Sequence, residues 1–197
     1  MPKVVDHEQR RSDIGAAARR VLRRDGIERI TVRHVAQEAN ISPGALRHYF
    51  SRQDDLVRFA LRQFLDDLRD RIAAIDFPAD DLDAAVLLVE QVLPLDDRRR
   101  EEMEVWLGYT ERARFDPVLH DMSLESQDAL ALLARSALAR LDQGGVLVEG
   151  LDLDLETRRL HALIDGLALH AYVHPERHSP DDLRRVVRHH LGELVSG

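Results

Sequence analysis

Apolar residues recur at helical spacing along the chain, and nowhere do they alternate with polar ones in the sustained period of two that a half-buried strand shows. The pattern predicts an all-α fold of about nine helices separated by turn signals. A first helix carries Ile14, Ala17, Ala18, Val21 and Leu22 on one face, leaves Arg19, Arg20, Arg23 and Arg24 on a wet face, and stops at Gly26. Thr31 is placed to cap a second helix, with Val32, Val35, Ala36 and Ala39 on one stripe and Asn40 as the left-handed residue at its end. The chain then turns at once into a third helix. Ser42 caps it, Pro43 takes the first helical position, and Leu46, Tyr49 and Phe50 face inward.

Downstream, Ser51 and Asp54 resemble a capping box opening a long fourth helix with Leu56, Phe59, Ala60, Phe64, Leu68 and Ile75 at helical spacing. Pro78 disfavours helical geometry at Phe77, so this helix is expected to end near Asp76. Asp80 or Asp81 caps a fifth helix through Val92, and Pro94 ends it. A sixth carries Met103, Trp106, Leu107 and Tyr109, and a seventh runs from Asp116-Pro117 to the double glycine Gly144-Gly145. Two helices close the chain, one over Asp154 to Tyr172 and one opened by Ser179-Pro180-Asp181-Asp182.

Composition narrows the function classes. No apolar run approaches the roughly 20 residues of a membrane span. The N-terminal stretch MPKVVDHEQRRSD lacks the apolar core and cleavage site of a signal peptide, which predicts a cytoplasmic location. Cysteine is absent, which excludes disulfides, thiolate metal sites and a cysteine nucleophile. The net charge of −8 argues against a protein that coats nucleic acid over its whole surface. The distribution is uneven, however: residues 1–50 hold ten Lys and Arg against six Asp and Glu, a balance of +4, and the remainder holds 18 against 30, a balance of −12. A small basic head on an acidic body suits contact with a phosphate backbone at one end only.

Residues 31–50 have the anatomy of a helix-turn-helix: two short helices, a tight turn, small residues Ala36 and Ala39 where they cross, and polar groups facing out on the second. With Leu46, Tyr49 and Phe50 as anchors, Pro43, Gly44, Arg47 and His48 lie toward a groove. Gly44 and Ala45 leave room for the DNA backbone or a thymine methyl, and Arg47 can bond guanine O6 and N7. His48 or the Tyr49 hydroxyl can bond a phosphate, while Thr31, the start of the second helix and Arg33 offer a second phosphate site, with Ser42 capping the reader. Arg10 and Arg11 fit either a minor-groove arm or a solvated helix start.

The string ITVRHVAQEANISPGALRHYFSRQDDL resembles the TetR family of bacterial transcriptional regulators, with Gly26, Thr31, Val35, Ala36, Ala39, Ser42, Gly44, Phe50 and Leu56 in the family register. The resemblance implies a DNA-binding head over residues 1–52, an all-helical ligand-binding and dimerisation body over residues 53–197, a homodimer, and repression of a double-stranded operator relieved by a small-molecule effector. Three positions depart from the family: Arg47 stands where tyrosine is common, Gln53 where lysine is, and Asn40 where the turn usually has glycine. Arg47-His48-Tyr49-Phe50 is similar to the variant in the branch typified by choline-responsive regulators.

Elsewhere the residues leave alternatives open. Met103, Trp106, Tyr109, Arg112 and Phe115 fit a pocket lining for an acidic or amphipathic ligand, and fit core packing equally. Leu160, Leu163, Ile164 and Leu167, with Leu183, Val187, Leu191 and Leu194, can close the monomer core or form a two-fold four-helix interface. The interface is the stronger expectation, because one short recognition helix reads few base pairs and symmetry doubles them. Adjacent His189 and His190 point apart on a helix, and His174 and His178 straddle Pro175, so no metal site or cofactor is expected. With no G-x-S-x-G elbow and no glycine-rich phosphate loop, no catalytic residues and no enzyme are expected either. The alternative to a regulator is a helical ligand-binding or scaffold protein that keeps the head without operator-specific regulation.

Overall fold

Capping chemistry sets the start of most helices. In the computed structural model, which describes residues 7–196, nine α-helices occur among the described residues: α1 (His7–Asp25), α2 (Val32–Glu38), α3 (Pro43–Arg47), α4 (Gln53–Ala73), α5 (Asp81–Glu90), α6 (Asp97–Ala113), α7 (Pro117–Gln143), α8 (Leu153–Val173) and α9 (Pro180–Gly192). The first six residues of the N-terminal stretch MPKVVDHEQRRSD lie outside the described residues. Thr31, Ser42, Asp80 and Ser179 each accept a backbone N–H three residues on, which satisfies a donor that the first turn leaves without a partner. The fold is all-α, and the described residues hold no strand beyond an isolated antiparallel bridge between Leu147 and Val195.

Two compact units divide the chain. The first runs through Ala74 and takes in Glu104–Glu111 of α6; the second comprises Ile75–Met103 and Arg112–Gly197. In the first, Ile14, Ala17, Ala18, Val21 and Leu22 of α1 meet Val35 and Ala36 of α2, Leu46 of α3 and Leu56, Ala60 and Leu61 of α4 in a fully enclosed core. Helix α1 is closed by Gly26 at φ 79°. Gly15 is there for space: a Cβ on it would lie 2.5 Å from a ring carbon of Phe59, so α4 approaches α1 over a bare backbone. In the second unit, Ala84, Ala85 and Val89 of α5, Ala134, Ala137 and Leu141 of α7, and Leu160 and Ile164 of α8 form the centre, with Leu183, Val187 and Leu191 of α9 against α5. The C-terminal residues clip onto the turn after α7, where Ser196 N–H donates to the Val146 carbonyl at 2.8 Å.

Three local expectations need correction. Helix α3 ends at Arg47 with His48 as its C-cap, so Tyr49 and Phe50 follow the helix rather than belong to it. Helix α4 begins at Gln53 with Arg52 in the capping position and without a side-chain cap; Ser51 reaches only Asp55, at 3.5 Å, instead of closing a box with Asp54. The arginines of α1 are not a purely solvated face. Arg19 and Arg23 bond Asp67, and Arg20 and Arg24 bond Glu38.

Candidate nucleic-acid interface

The turn between α2 and α3 shows why Asn40 serves there. At φ 53° it occupies the left-handed region, the Ile41 N–H donates to the Ala36 carbonyl at 2.9 Å, and the Asn40 N–H donates to the Gln37 carbonyl at 3.1 Å. Those two bonds make the Schellman ending of a helix, for which asparagine is a tolerated second choice after glycine. Immediately beyond it Ser42 Oγ accepts the Ala45 N–H at 3.1 Å, so α3 starts two residues after α2 has been closed.

Anchoring and display divide α3 cleanly. Leu46 is fully buried and Phe50, just beyond the helix, is 2% exposed, whereas Pro43, Gly44, Arg47 and His48 are exposed and Ala45 and Tyr49 are half-buried. A Cβ on Gly44 would meet nothing nearer than Ser42 Oγ at 3.8 Å, so internal packing does not require glycine there. Among the described residues Arg33 and Arg47 have no acidic partner, while Arg52 is paired with Asp54 at 3.2 Å. Thr31 is half-buried and its hydroxyl accepts the His34 N–H at 3.2 Å.

Much of the first unit's positive charge is therefore used within that unit. Arg20 Nε donates to Glu38 at 2.7 Å and Arg24 at 3.1 Å; these two guanidinium groups, Arg20 first, hold the Glu38 carboxyl below its ordinary range. Arg19 and Arg23 grip the two oxygens of Asp67 in the same way. Arg11 is neither a free arm nor simply solvated: its guanidinium carbon lies 5.2 Å from the ring centres of both Phe50 and Phe59, which are themselves 5.1 Å apart. Asp67, Glu38 and Gly15 carry no motif that marks them in the sequence. The available signal was the paired i, i+4 spacing of Arg19 with Arg23 and Arg20 with Arg24, which stacks two guanidinium groups on each of two faces.

The residues considered for a ligand do not behave as one set. Trp106 and Tyr109 belong to the first unit, and Met103, Arg112 and Phe115 to the second. Tyr109 is 1% exposed, Trp106 and Arg112 are half-buried, Met103 is buried, and Phe115 is 84% exposed with Arg114 against its ring.

The expected partner face is also redistributed. Leu160, Ile164, Leu183, Val187, Leu191 and Leu194 are at most 7% exposed within the single chain, so they have no surface left to give a second one; Leu163 and Leu167 are half-buried. The exposed large apolar residues on these helices are instead Leu155, Leu169 and Val173 of α8 and Val186 of α9. Of the histidines near the α8–α9 turn, His178 stacks on His170 at 5.7 Å between ring centres, and among the described residues no group of three metal-binding side chains forms.

A capped two-helix reader, displayed on a third helix and followed by an all-helical unit, defines a helix-turn-helix transcriptional regulator. Residues 14–59 match bacterial regulatory proteins of the tetR family, and residues 78–196 match the C-terminal region of BetI-type transcriptional repressors. The chain belongs to the TetR family of transcriptional regulators. It is 39% identical, over 98% of its own length and 94% of the relative's, to the HTH-type transcriptional regulator PksA of Bacillus subtilis (strain 168). It is 26% identical, over its whole length and 93% of the relative's, to BetI 2 of Chromohalobacter salexigens. Among solved structures, a transcriptional regulator from Saccharomonospora viridis in complex with choline superposes with a TM-score of 0.83 at 25% identity, covering 95% of this chain and 98% of that one. A regulator from Rhodococcus sp. Rha1 superposes at 0.77 with 29% identity, covering 93% and 95%. Among the described residues no helix is long and apolar enough to cross a membrane.

Proposed function

We propose that the protein is a cytoplasmic homodimeric repressor that binds a palindromic operator through α3 and is released by a small-molecule effector, without turnover of that molecule. The division of labour falls near residue 52, with the head reading DNA and residues 53–197 serving ligand binding and dimerisation. The observation that carries the reading is the outer face of α3: Arg47 stands exposed without an acidic partner, next to a glycine that internal packing does not require, on a helix fixed by buried Leu46. Arg47 takes the base contact, Gly44 and Ala45 behind Pro43 leave room for the backbone or a thymine methyl, His48 or the Tyr49 hydroxyl bonds a phosphate, and Thr31 with the start of α2 and Arg33 holds a second phosphate, Ser42 capping the reader.

The second copy is supported by α8, which is apolar on two opposite sides. Leu160, Ile164, Ala168 and Ala171 are enclosed by this chain, while Leu155, Leu169 and Val173 recur at helical spacing on the far side with Ala162 and Gly166 between them. An apolar stripe on the far side of an already packed helix calls for cover, and a second α8–α9 pair supplies it, with Leu163 and Leu167 at the margin. For the effector, Trp106 of α6 offers a half-buried aromatic face. The choline in the Saccharomonospora viridis regulator makes quaternary ammonium compounds the first class to screen, since an aromatic face attracts such a cation.

Selection of bound sequences from random duplex DNA tests the reading. It predicts enrichment of a two-fold symmetric motif whose half-sites lie about one helical turn, or a multiple, apart. Recovery of no enriched sequence would overturn it.

A further inference from the structure

Helix α1 is tied to its neighbours on two sides by a quartet of its own arginines that the proposed DNA contacts do not use. Arg19 and Arg23, one turn apart, hold the two oxygens of Asp67 on α4, with Arg23 Nη2 at 3.3 Å from Oδ2. Arg20 and Arg24, rotated round the same helix, hold the two oxygens of Glu38 at the last position of α2, at 2.7 and 3.1 Å. Both carboxylates are mostly covered, at 29% and 20% exposure. A second tie joins α1 to α4 near the other end: Phe59 sits on bare Gly15 and shares Arg11 with Phe50. Helix α1 thus meets α4 at two separated points, which resists rotation of one against the other, and passes that constraint to α2 through a charge-assisted bond.

We infer that the arginine quartet of α1 is a coupler that makes α4 and the α2–α3 reader move as one body, with Asp67 and Glu38 as positioning residues for operator recognition. The inference rests on the operator-binding reading above. It carries a sign that distinguishes it from a simple charge effect. Asp67 is an acidic group in the same compact unit as the reader, so its removal makes that unit more positive and, by charge alone, tightens binding to any duplex. If Asp67 positions the reader, its removal instead weakens binding to the operator and spares binding to unrelated DNA.

The experiment measures affinity for the selected operator and for a scrambled duplex of equal length, in the full chain, at one salt concentration and well below the melting temperature of every variant. Asp67→Asn is expected to lower the ratio of operator to scrambled affinity about three- to tenfold. The Arg19→Gln/Arg23→Gln pair is expected to lower the ratio to a similar level, and its combination with Asp67→Asn to lower it no further, because all three changes break the same clasp. Glu38→Gln is expected to lower it as well, and Asp67→Glu to restore most of the ratio. A ratio that stays at the parent value in Asp67→Asn, or losses that add in the combination, overturns the coupler. A parent chain that prefers no sequence removes the operator reading itself, and the inference with it.

Discussion

Gly15 shows how one missing side chain sets the geometry of the head. A glycine inside a helix ordinarily costs ~1 kcal/mol relative to alanine, so Gly15→Ala would be stabilising on an open surface. Here the added Cβ falls 2.5 Å from the Phe59 ring, which Phe50 and Arg11 confine. Overpacking of this kind costs ~1–3 kcal/mol, so the substitution is expected to lower the thermal midpoint, read by circular dichroism. A raised midpoint would show that the ring moves aside freely. Glu38 makes a pH prediction at the same scale. Its carboxyl is held below the ordinary value of 4.5, chiefly by Arg20 and then by Arg24, so its contribution is fully present above that value and is lost as pH falls through the lower, folded-state one. Acid unfolding of the parent should therefore be steeper below about pH 5 than that of Glu38→Gln. Superimposable acid limbs would contradict the assignment.

At the scale of elements, the α2–turn–α3 unit is held by local chemistry that is written in consecutive residues. Ser42→Ala removes the acceptor for the Ala45 N–H and is expected to cost ~1 kcal/mol, measured by denaturant unfolding; an unchanged midpoint would mean that water replaces the cap. Such local features were legible beforehand: Thr31 and Ser42 as caps, Asn40 as the left-handed residue, Gly26 as a stop, Asp80 and Ser179 opening later helices. What was not legible depends on partners far along the chain. The i, i+4 spacing of Arg19 and Arg23 marks a shared face but does not name Asp67, 44 residues beyond Arg23, as its partner. The same limit applied to α8 and α9. Periodicity marked Leu160 and Ile164 as apolar, but only the packed chain shows that these face inward and that Leu169 and Val173 are left outside. The start of α4 was displaced for a related reason: Ser51 and Asp54 have the spacing of a capping box, yet Phe50 is drawn into the core and the chain turns again before Gln53.

Across the whole molecule, the proposed function requires two copies and a charged front. If Leu169 and Val173 meet a second chain, Leu169→Glu with Val173→Glu should sediment as a monomer at concentrations where the parent is a dimer, because each charge would have to be buried without a partner. Equal sedimentation would move the interface elsewhere. The acidic remainder of the chain, at −12 over residues 51–197, leaves the head as the surface for phosphate. The central claim is that α3 reads bases through Arg47, and titration of Arg47→Ala against the selected operator and its single-base variants tests it most directly. The account predicts a loss of about ten- to a hundredfold in operator affinity and of discrimination at one base pair in each half-site, with binding to scrambled DNA reduced far less. Unchanged affinity and unchanged base preference would contradict it.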